Sequence, residues 1–335
     1  MIRIGIPRAL LYYQYYPAFK TFFEGLGAEV VVSPPTNQEM LTLGSARVVA
    51  DTCLPVKVFL GHVLSLVEGC DWVFIPALRS IQRKVYNCSK FLGLPDMTRA
   101  VIPESPPILE IEIDISKGKR GLYQAIYKLG RQFTLNPFRI RRAAKAALGA
   151  YLDYRGLMCN YKLTPLQAIE MISTAPGVGF EAISPTQPRA GAVIALIGHP
   201  YLLYDEHVNH RLIHRLEEAG SRVVTPEMPS SDEIQSAIEV LVGRAYWTYE
   251  GEVVGAGEHY LESGVDGVIG LMTFGCGPDS LMMNMVARRA AKLKATPFMS
   301  LTLEEHQAPA GILTRLEAFL DMIYRKKRKQ VEACV

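Results

Sequence analysis

The sequence has no run of about 18 apolar residues, so it offers no membrane-spanning helix. Its start, MIRIGIPRALLYY, holds one early arginine but no long apolar stretch and no small-residue cleavage site, which argues against a secretory leader. The formal net charge is only +3, too small to point to nucleic acid. No G-x-x-x-x-G-K-[ST] loop, no G-x-G-x-x-G fingerprint and no G-x-S-x-G elbow occurs, so the chain shows no phosphate loop of its own, little support for dinucleotide binding and no serine-hydrolase signature. Cysteine is sparse: the six residues 53, 70, 88, 159, 276 and 334 are too scattered for a disulfide scaffold, and none forms a C-x-x-C pair. The expectation is a cytoplasmic protein, without nucleic-acid or membrane partners, whose cysteines are reduced or bound to something.

What is present is α/β patterning. The 335 residues, 49% hydrophobic and 21% charged, suit two globular domains of ordinary size. Arg3 to Ile6 predicts a strand. Tyr12 to Leu26 predicts a helix with an aromatic face, stopped by Gly27, and Glu29 to Val32 predicts a second strand closed by Ser33-Pro34-Pro35. Val48 to Ala50 then predicts a short strand, followed by a helix over about Pro55 to Glu68 and strands at Trp72 to Ile75 and ILEIEIDI (108 to 115). Residues 118 to 175 read as mostly helical, and 176 to 190 as a Pro, Gly, Ser and Thr-rich linker.

The second half repeats the first. IGIPRAL (4 to 10) matches IGHPYLL (197 to 203) at an offset of 193, which persists through Glu24 with Glu217, Gly27 with Gly220 and Val30-Val31 with Val223-Val224. EGCDWVF (68 to 74) matches ESGVDGVI (262 to 269) at 195, pairing Asp71 with Asp266. The expectation is two related α/β domains with parallel sheets, residues 1–117 and 191–335, joined by a helical connector and linker over 118–190, with a cleft between them.

Cys53 in DTCLPVK, Cys88 in YNCSK and Cys276 in FGCGPDS all fall on the carboxyl side of predicted strands, where this architecture places functional groups. Singly, each could be a buried small residue, a nucleophile at a helix start or a metal ligand. Structural zinc sites favour ligands two to four residues apart, whereas these stand 35 and 188 apart; iron–sulfur clusters tolerate distant thiolates. Gly275 and Gly277 beside Cys276 would let backbone amides approach such a cluster. Arg79, Arg83, Lys84 and Lys90 flank Cys88 and read first as a solvated basic loop. Cys70 reads as core, and Cys159 and Cys334 as having no role.

Taken together, IGIPRAL, DTCLPVKVFLGHV, YNCSK, HPYLLYDEHVN, FGCGPDS and TRLEAF resemble the 2-hydroxyglutaryl-CoA dehydratase D-component (HgdB-like) superfamily. Within it, the chain is most similar to the stand-alone acyl-CoA dehydratase activase-related, or CoA protein activase, group. The resemblance runs from Ile4 to about Ile323, and departs where CLPVK stands for the commoner Cys-Tyr-Pro-Ala-Lys and where EEHQAPAG (304 to 311) replaces a Thr-Gly-Glu-Ala-Gly form. It implies two Rossmann-like domains and a [4Fe-4S] or related cluster on Cys53, Cys88 and Cys276. It also implies an oxygen-sensitive, low-potential electron-transfer or reductase role in anaerobic metabolism, with electrons supplied by an ATP-dependent iron–sulfur activase. A paralogous HgdB-like subunit or a second copy would complete the assembly. The alternatives are a catalytic 2-hydroxyacyl-CoA dehydratase subunit and a non-redox metal-binding protein. No residue is identified as catalytic.

Three further groups read more plainly. Lys57 and His62, on the helix after Cys53, favour structural roles. The histidines of HPYLLYDEHVNH (199 to 210) suit a loop after a strand better than a metal site. The basic tail YRKKRKQ (324 to 330) suits a solvated helix end.

Overall fold

The computed structural model describes residues 1–116, 118–174 and 191–333, with side chains to residue 329; the expected linker over 176–190 and Cys334 lie outside these. The chain divides into two compact units, Met1–Ala182 with Ala245–Tyr249, and Ile183–Arg244 with Glu250–Val335. Each holds one four-stranded, wholly parallel sheet flanked by helices, as two Rossmann-like domains require.

In the first unit the strands are β1 (Arg3–Ile6), β2 (Glu29–Val32), β3 (Trp72–Ser80) and β4 (Ile108–Asp114), in the order β2-β1-β3-β4. Helix α1 (Tyr12–Gly25) joins β1 to β2. Its aromatic face is buried: Phe23 meets Phe74 of β3 edge-on, with ring centroids 4.9 Å apart. Two helices, α2 (Gln38–Ser45) and α3 (Leu54–Leu64), join β2 to β3, and α4 (Ser89–Val101) joins β3 to β4. The chain continues as α5 (Lys119–Gly130), packed on β4, then α6 (Pro137–Tyr161), packed along α1, and α7 (Pro165–Thr174). The residues read as a connector thus include three helices that belong to the first compact unit.

The expected strand at Val48 to Ala50 is absent. Those residues form a turn, with Val49 74% exposed, and the stretch before them is the unforeseen helix α2. The β-branched pair suggested a strand, but a strand there has no neighbour to complete its ladder. Asn37 caps α2 through its side chain, which accepts from the Met40 amide at 2.9 Å.

The second unit comprises β5 (Val193–Ile197), the short α8 (Pro200–Leu203), α9 (Leu212–Glu218), β6 (Arg222–Val224), α10 (Ser231–Val242), all of α11 (Thr248–Glu262) but its first two residues, β7 (Gly267–Thr273), α12 (Gly277–Leu293), β8 (Phe298–Leu303) and α13 (Pro309–Ala333). Its strand order, β6-β5-β7-β8, is that of the first unit. Its core gathers Ile197 of β5, Val253, Val254 and Tyr260 of α11, and Met282, Met283 and Val286 of α12.

The duplication extends to single bonds. Asp71 accepts from the Arg3 amide at 2.7 Å and Asp266 from the Val193 amide at 2.8 Å, each pinning the start of the third strand to the first. Gly27 and Gly220 both take left-handed φ, +86° and +82°, and both donate back to a glutamate carbonyl at 2.9 Å, Glu24 and Glu217. Register corrects one detail. Arg3 pairs with Glu29 as Val193 pairs with Arg222, and Gly5 with Val73 as Ala195 with Val268, so Gly5 corresponds to Ala195 and not to Gly198. The second unit carries three extra residues between its first strand and the helix that follows, and His199 lies there.

Candidate functional site

In parallel sheets each crossover helix runs back against the strands, so its N-terminus lies at their carboxyl edge. Cys88 is the N-cap of α4, after β3; Cys276 is the N-cap of α12, after β7. The shared strand order makes these equivalent positions in the two units. Cys53 is the N-cap of α3, which leads into β3. It therefore stands at the carboxyl edge although α2, and not a strand, is the element before it, which corrects the expected path to that position. None of the three side chains caps its helix by a hydrogen bond. Each cysteine therefore stands beside the unbonded first-turn amides of a helix.

In the first unit the Lys90 ammonium donates to Cys53 Sγ at 3.6 Å. Lys90 is in the first turn of α4, two residues after Cys88, so this bond draws the N-termini of α3 and α4 together. Lys90 is therefore not part of a solvated basic loop. Arg79 is also engaged, with Glu112 at 3.5 Å and Asp114 at 3.6 Å. Cys88 is exposed; Cys53 and Cys276 are half-buried.

The Cys88 loop is held by a segment that lies far away in sequence. The Tyr86 amide donates to the Tyr246 carbonyl and the Thr248 amide to the Tyr86 carbonyl, each at 2.9 Å, a parallel bridge between Tyr86 and Trp247. Tyr249 donates to Gln14 Oε1 at 2.5 Å and packs on Phe91 of α4, with centroids 5.5 Å apart. Sequence reasoning missed this aromatic strap, because AYWTY carries no local sign of its destination.

In the second unit Gly275 has φ +78°, the left-handed turn that admits the chain to α12, while a Cβ at Gly277 would meet nothing within 4 Å. Ser280 donates to the Cys276 carbonyl from its amide at 3.2 Å and its hydroxyl at 3.0 Å. Three residues past Cys276, the Asp279 carboxylate pairs with His199 Nε2; both side chains are buried. This His–Asp pair ties the loop after β5 to the first turn of α12. His199 figured in the sequence only as a loop residue, and nothing local links it to an aspartate 80 residues on.

The other titratable candidates are structural. His62 is fully buried, its Nδ1 2.8 Å from Ser33 Oγ and its Nε2 2.9 Å from Thr36 Oγ1; burial, with the charge of Arg8 added, lowers its pKa to about 4 and keeps the ring neutral. Lys57 reaches back to the Ala50 carbonyl at 2.9 Å, fastening the turn before Cys53. Cys70 is buried in the first sheet's core, donates to the Leu66 carbonyl, and has its pKa raised by that burial.

The donor chemistry suits an iron–sulfur cluster: thiols at helix starts, with a lysine beside one of them. The set within a unit is small, however. Among the described residues no group of three or more His, Cys, Asp or Glu side chains stands together as a metal site.

The arrangement defines a duplicated, doubly wound α/β protein with cysteines at the carboxyl edges of its sheets. The family model of the CoA enzyme activase uncharacterised domain (DUF2229) matches residues 3–228, and the chain belongs to this family. The match agrees with the activase-related resemblance and does not extend to the dehydratase D-component. It contains Cys53 and Cys88 and ends before Cys276. No curated protein matches the chain.

Proposed function

We propose that this protein serves a CoA-enzyme activation system as a low-potential electron-transfer or reductase component, with Cys53, Cys88 and Cys276 as ligands of one [4Fe-4S]-type cluster. The observation that carries the reading is the shared setting of the three cysteines. Each is the N-cap of a carboxyl-edge helix, and none spends its side chain on capping. Family membership supports the activation context. Such a cluster, when bound, takes up and passes on single electrons. The chain's own contribution is to offer the three thiol ligands and to offset their charge, once they are bound as thiolates, with helix amides and the Lys90 ammonium. The electron donor in this reading is an ATP-dependent iron–sulfur activase, since the chain has no phosphate loop of its own.

Anaerobic purification followed by iron and sulfide analysis and EPR tests the proposal. Iron and sulfide in near-equal amounts are expected, and Cys→Ser at 53, 88 or 276 should remove or convert the signal while Cys159→Ser leaves it unchanged. Zinc, or no metal, in anaerobically prepared protein would refute it. The finer relationship, that of a 2-hydroxyacyl-CoA dehydratase subunit related to the D-component, is the alternative; dehydration of an acyl-CoA by the activated protein would establish that instead.

A further inference from the structure

The stretch ISKGKRGLYQAIYKLGRQFTLNPFRIRRAAKAALGAYL, residues 115 to 152, contains nine Lys or Arg and no Asp or Glu. Over the rest of the chain acidic residues outnumber basic ones, so the positive charge is concentrated here. From Lys119 onward the stretch forms α5, the following loop and the first half of α6. One side of this hairpin is spoken for: Leu129 of α5 is buried, Ile140 of α6 lies against Gly130 of α5, and Ala143 lies against Gly25 of α1. The other side faces water. Leu135 and Phe138, at the tip of the hairpin, are 76% and 79% exposed; apart from Met1 they are the most exposed large hydrophobic side chains among the described residues. Arg131, Arg141, Arg142 and Lys145 surround that tip, all exposed, and none forms an ion pair among the described residues. Tyr123 on α5 and Leu148 and Leu152 on α6 continue the apolar positions between the cations.

Exposed apolar groups set among unpaired cations call for a surface that is both anionic and apolar. A second copy of the chain docked through the same face would set cations against cations. A nucleic acid would satisfy the charges but offers little to Leu135, Leu148 and Leu152. An anionic bilayer takes both: its phosphates pair with arginines and its headgroup boundary accepts leucine, phenylalanine and tyrosine. We propose that the α5–α6 hairpin is a peripheral docking surface for anionic lipid, with Leu135 and Phe138 entering the interface and the flanking arginines on phosphates. The expectation of no membrane partner rests on the absence of a spanning helix and does not bear on a surface contact. Helix α5 starts beside the carboxyl end of β4 and runs back along the sheet, so the tip lies at the end of the first unit remote from Cys53 and Cys88. Docking there leaves the cysteine edge open to a protein partner.

Co-sedimentation of the full chain with phosphatidylglycerol–phosphatidylcholine vesicles, against phosphatidylcholine alone, tests this. Binding to the anionic vesicles only, weakened by high salt, is expected. R141E/R142E/K145E and L135S/F138S should each cut the bound fraction about tenfold, by loss of charge and of apolar insertion respectively. All five side chains are exposed, so circular dichroism should be unchanged. As a check independent of those variants, the tryptophan emission of a Phe138→Trp variant should shift to shorter wavelength with anionic vesicles and not with neutral ones. No sedimentation with anionic vesicles would overturn the proposal, as would binding indifferent to L135S/F138S. Displacement from vesicles by polyglutamate or duplex DNA, with no emission shift in the Phe138→Trp variant, would assign the face to an acidic protein or nucleic acid instead.

Discussion

At the residue scale, burial decides which of the candidate groups are chemical and which are structural. His62 has the structural role its position on the helix after Cys53 suggests: its ring is locked between Ser33 and Thr36, and Ser33 also accepts from the Arg8 amide at 2.7 Å, so one small polar knot joins the loops after β1 and β2 to α3. Its pKa is about 4 in the folded protein against an ordinary 6.5. The unfolded chain therefore binds the extra proton between those values. The stability this contributes is complete above about pH 6.5 and is lost as pH falls towards about 4, to the order of 3 kcal/mol. Urea midpoints should fall over that window, and His62→Gln should flatten the decline. A wild-type midpoint constant across it would show that His62 is not buried neutral. Tyr154 offers a second test. Fully buried, it donates to the Tyr13 carbonyl at 2.6 Å and fastens α6 to α1. Tyr154→Phe leaves that carbonyl short of a partner and should cost about 1–2 kcal/mol in chemical denaturation.

At the scale of elements, the contact that places Cys53 is between α2 and α3. A Cβ at Gly44 would stand 2.0 Å from the Lys57 carbonyl oxygen, and one at Gly61 2.1 Å from that of Met40. The two helices touch backbone to backbone, so neither glycine tolerates a methyl group. Gly44→Ala or Gly61→Ala should destabilise the first unit by about 3 kcal/mol or more and move Cys53 relative to Lys90, whereas Gly93→Ala, in open space, should be nearly silent in a thermal melt. Elements with strong local signals were legible: the aromatic face of α1, the alternation of β4, the glycine stops at 27 and 220. Elements fixed by partners were not. Val48-Val49 had the composition of a strand but no neighbouring strand to bond, and α2 is eight residues long, too short for its periodicity to stand out.

At the scale of the molecule, the strap of residues 245–249 shows that the two units are not two consecutive stretches of chain. Its backbone satisfies the Tyr86 amide and carbonyl, and its Tyr249 covers Phe91. A chain ending at residue 182 should keep the helical and sheet signature of the first unit but lose this support. Trypsin should then cut at Arg83 and Lys84 several-fold faster than in the full chain; equal rates would show that the strap does not hold the Cys88 loop. The candidate site was half legible on this scale. The three cysteines stood out because motif and predicted strand ends coincided. The Lys90–Cys53 bond, the His199–Asp279 pair and the strap did not, since each joins residues that share no local pattern.

The sequence by itself determined the α/β class, the duplication, the positions of the cysteines along the chain and the absence of a phosphate-loop motif. Those properties are written in periodicity, in repeats at nearly constant offset and in residue type, all of which survive without coordinates. The tertiary structure alone decided that the Cys53 helix is seated by a glycine contact with α2, that Lys90 serves Cys53, that His62 is neutral and that α5 and α6 turn a basic, apolar face to water. Each of these depends on which surfaces pack and which do not, and burial is a property of the whole fold rather than of any segment of chain.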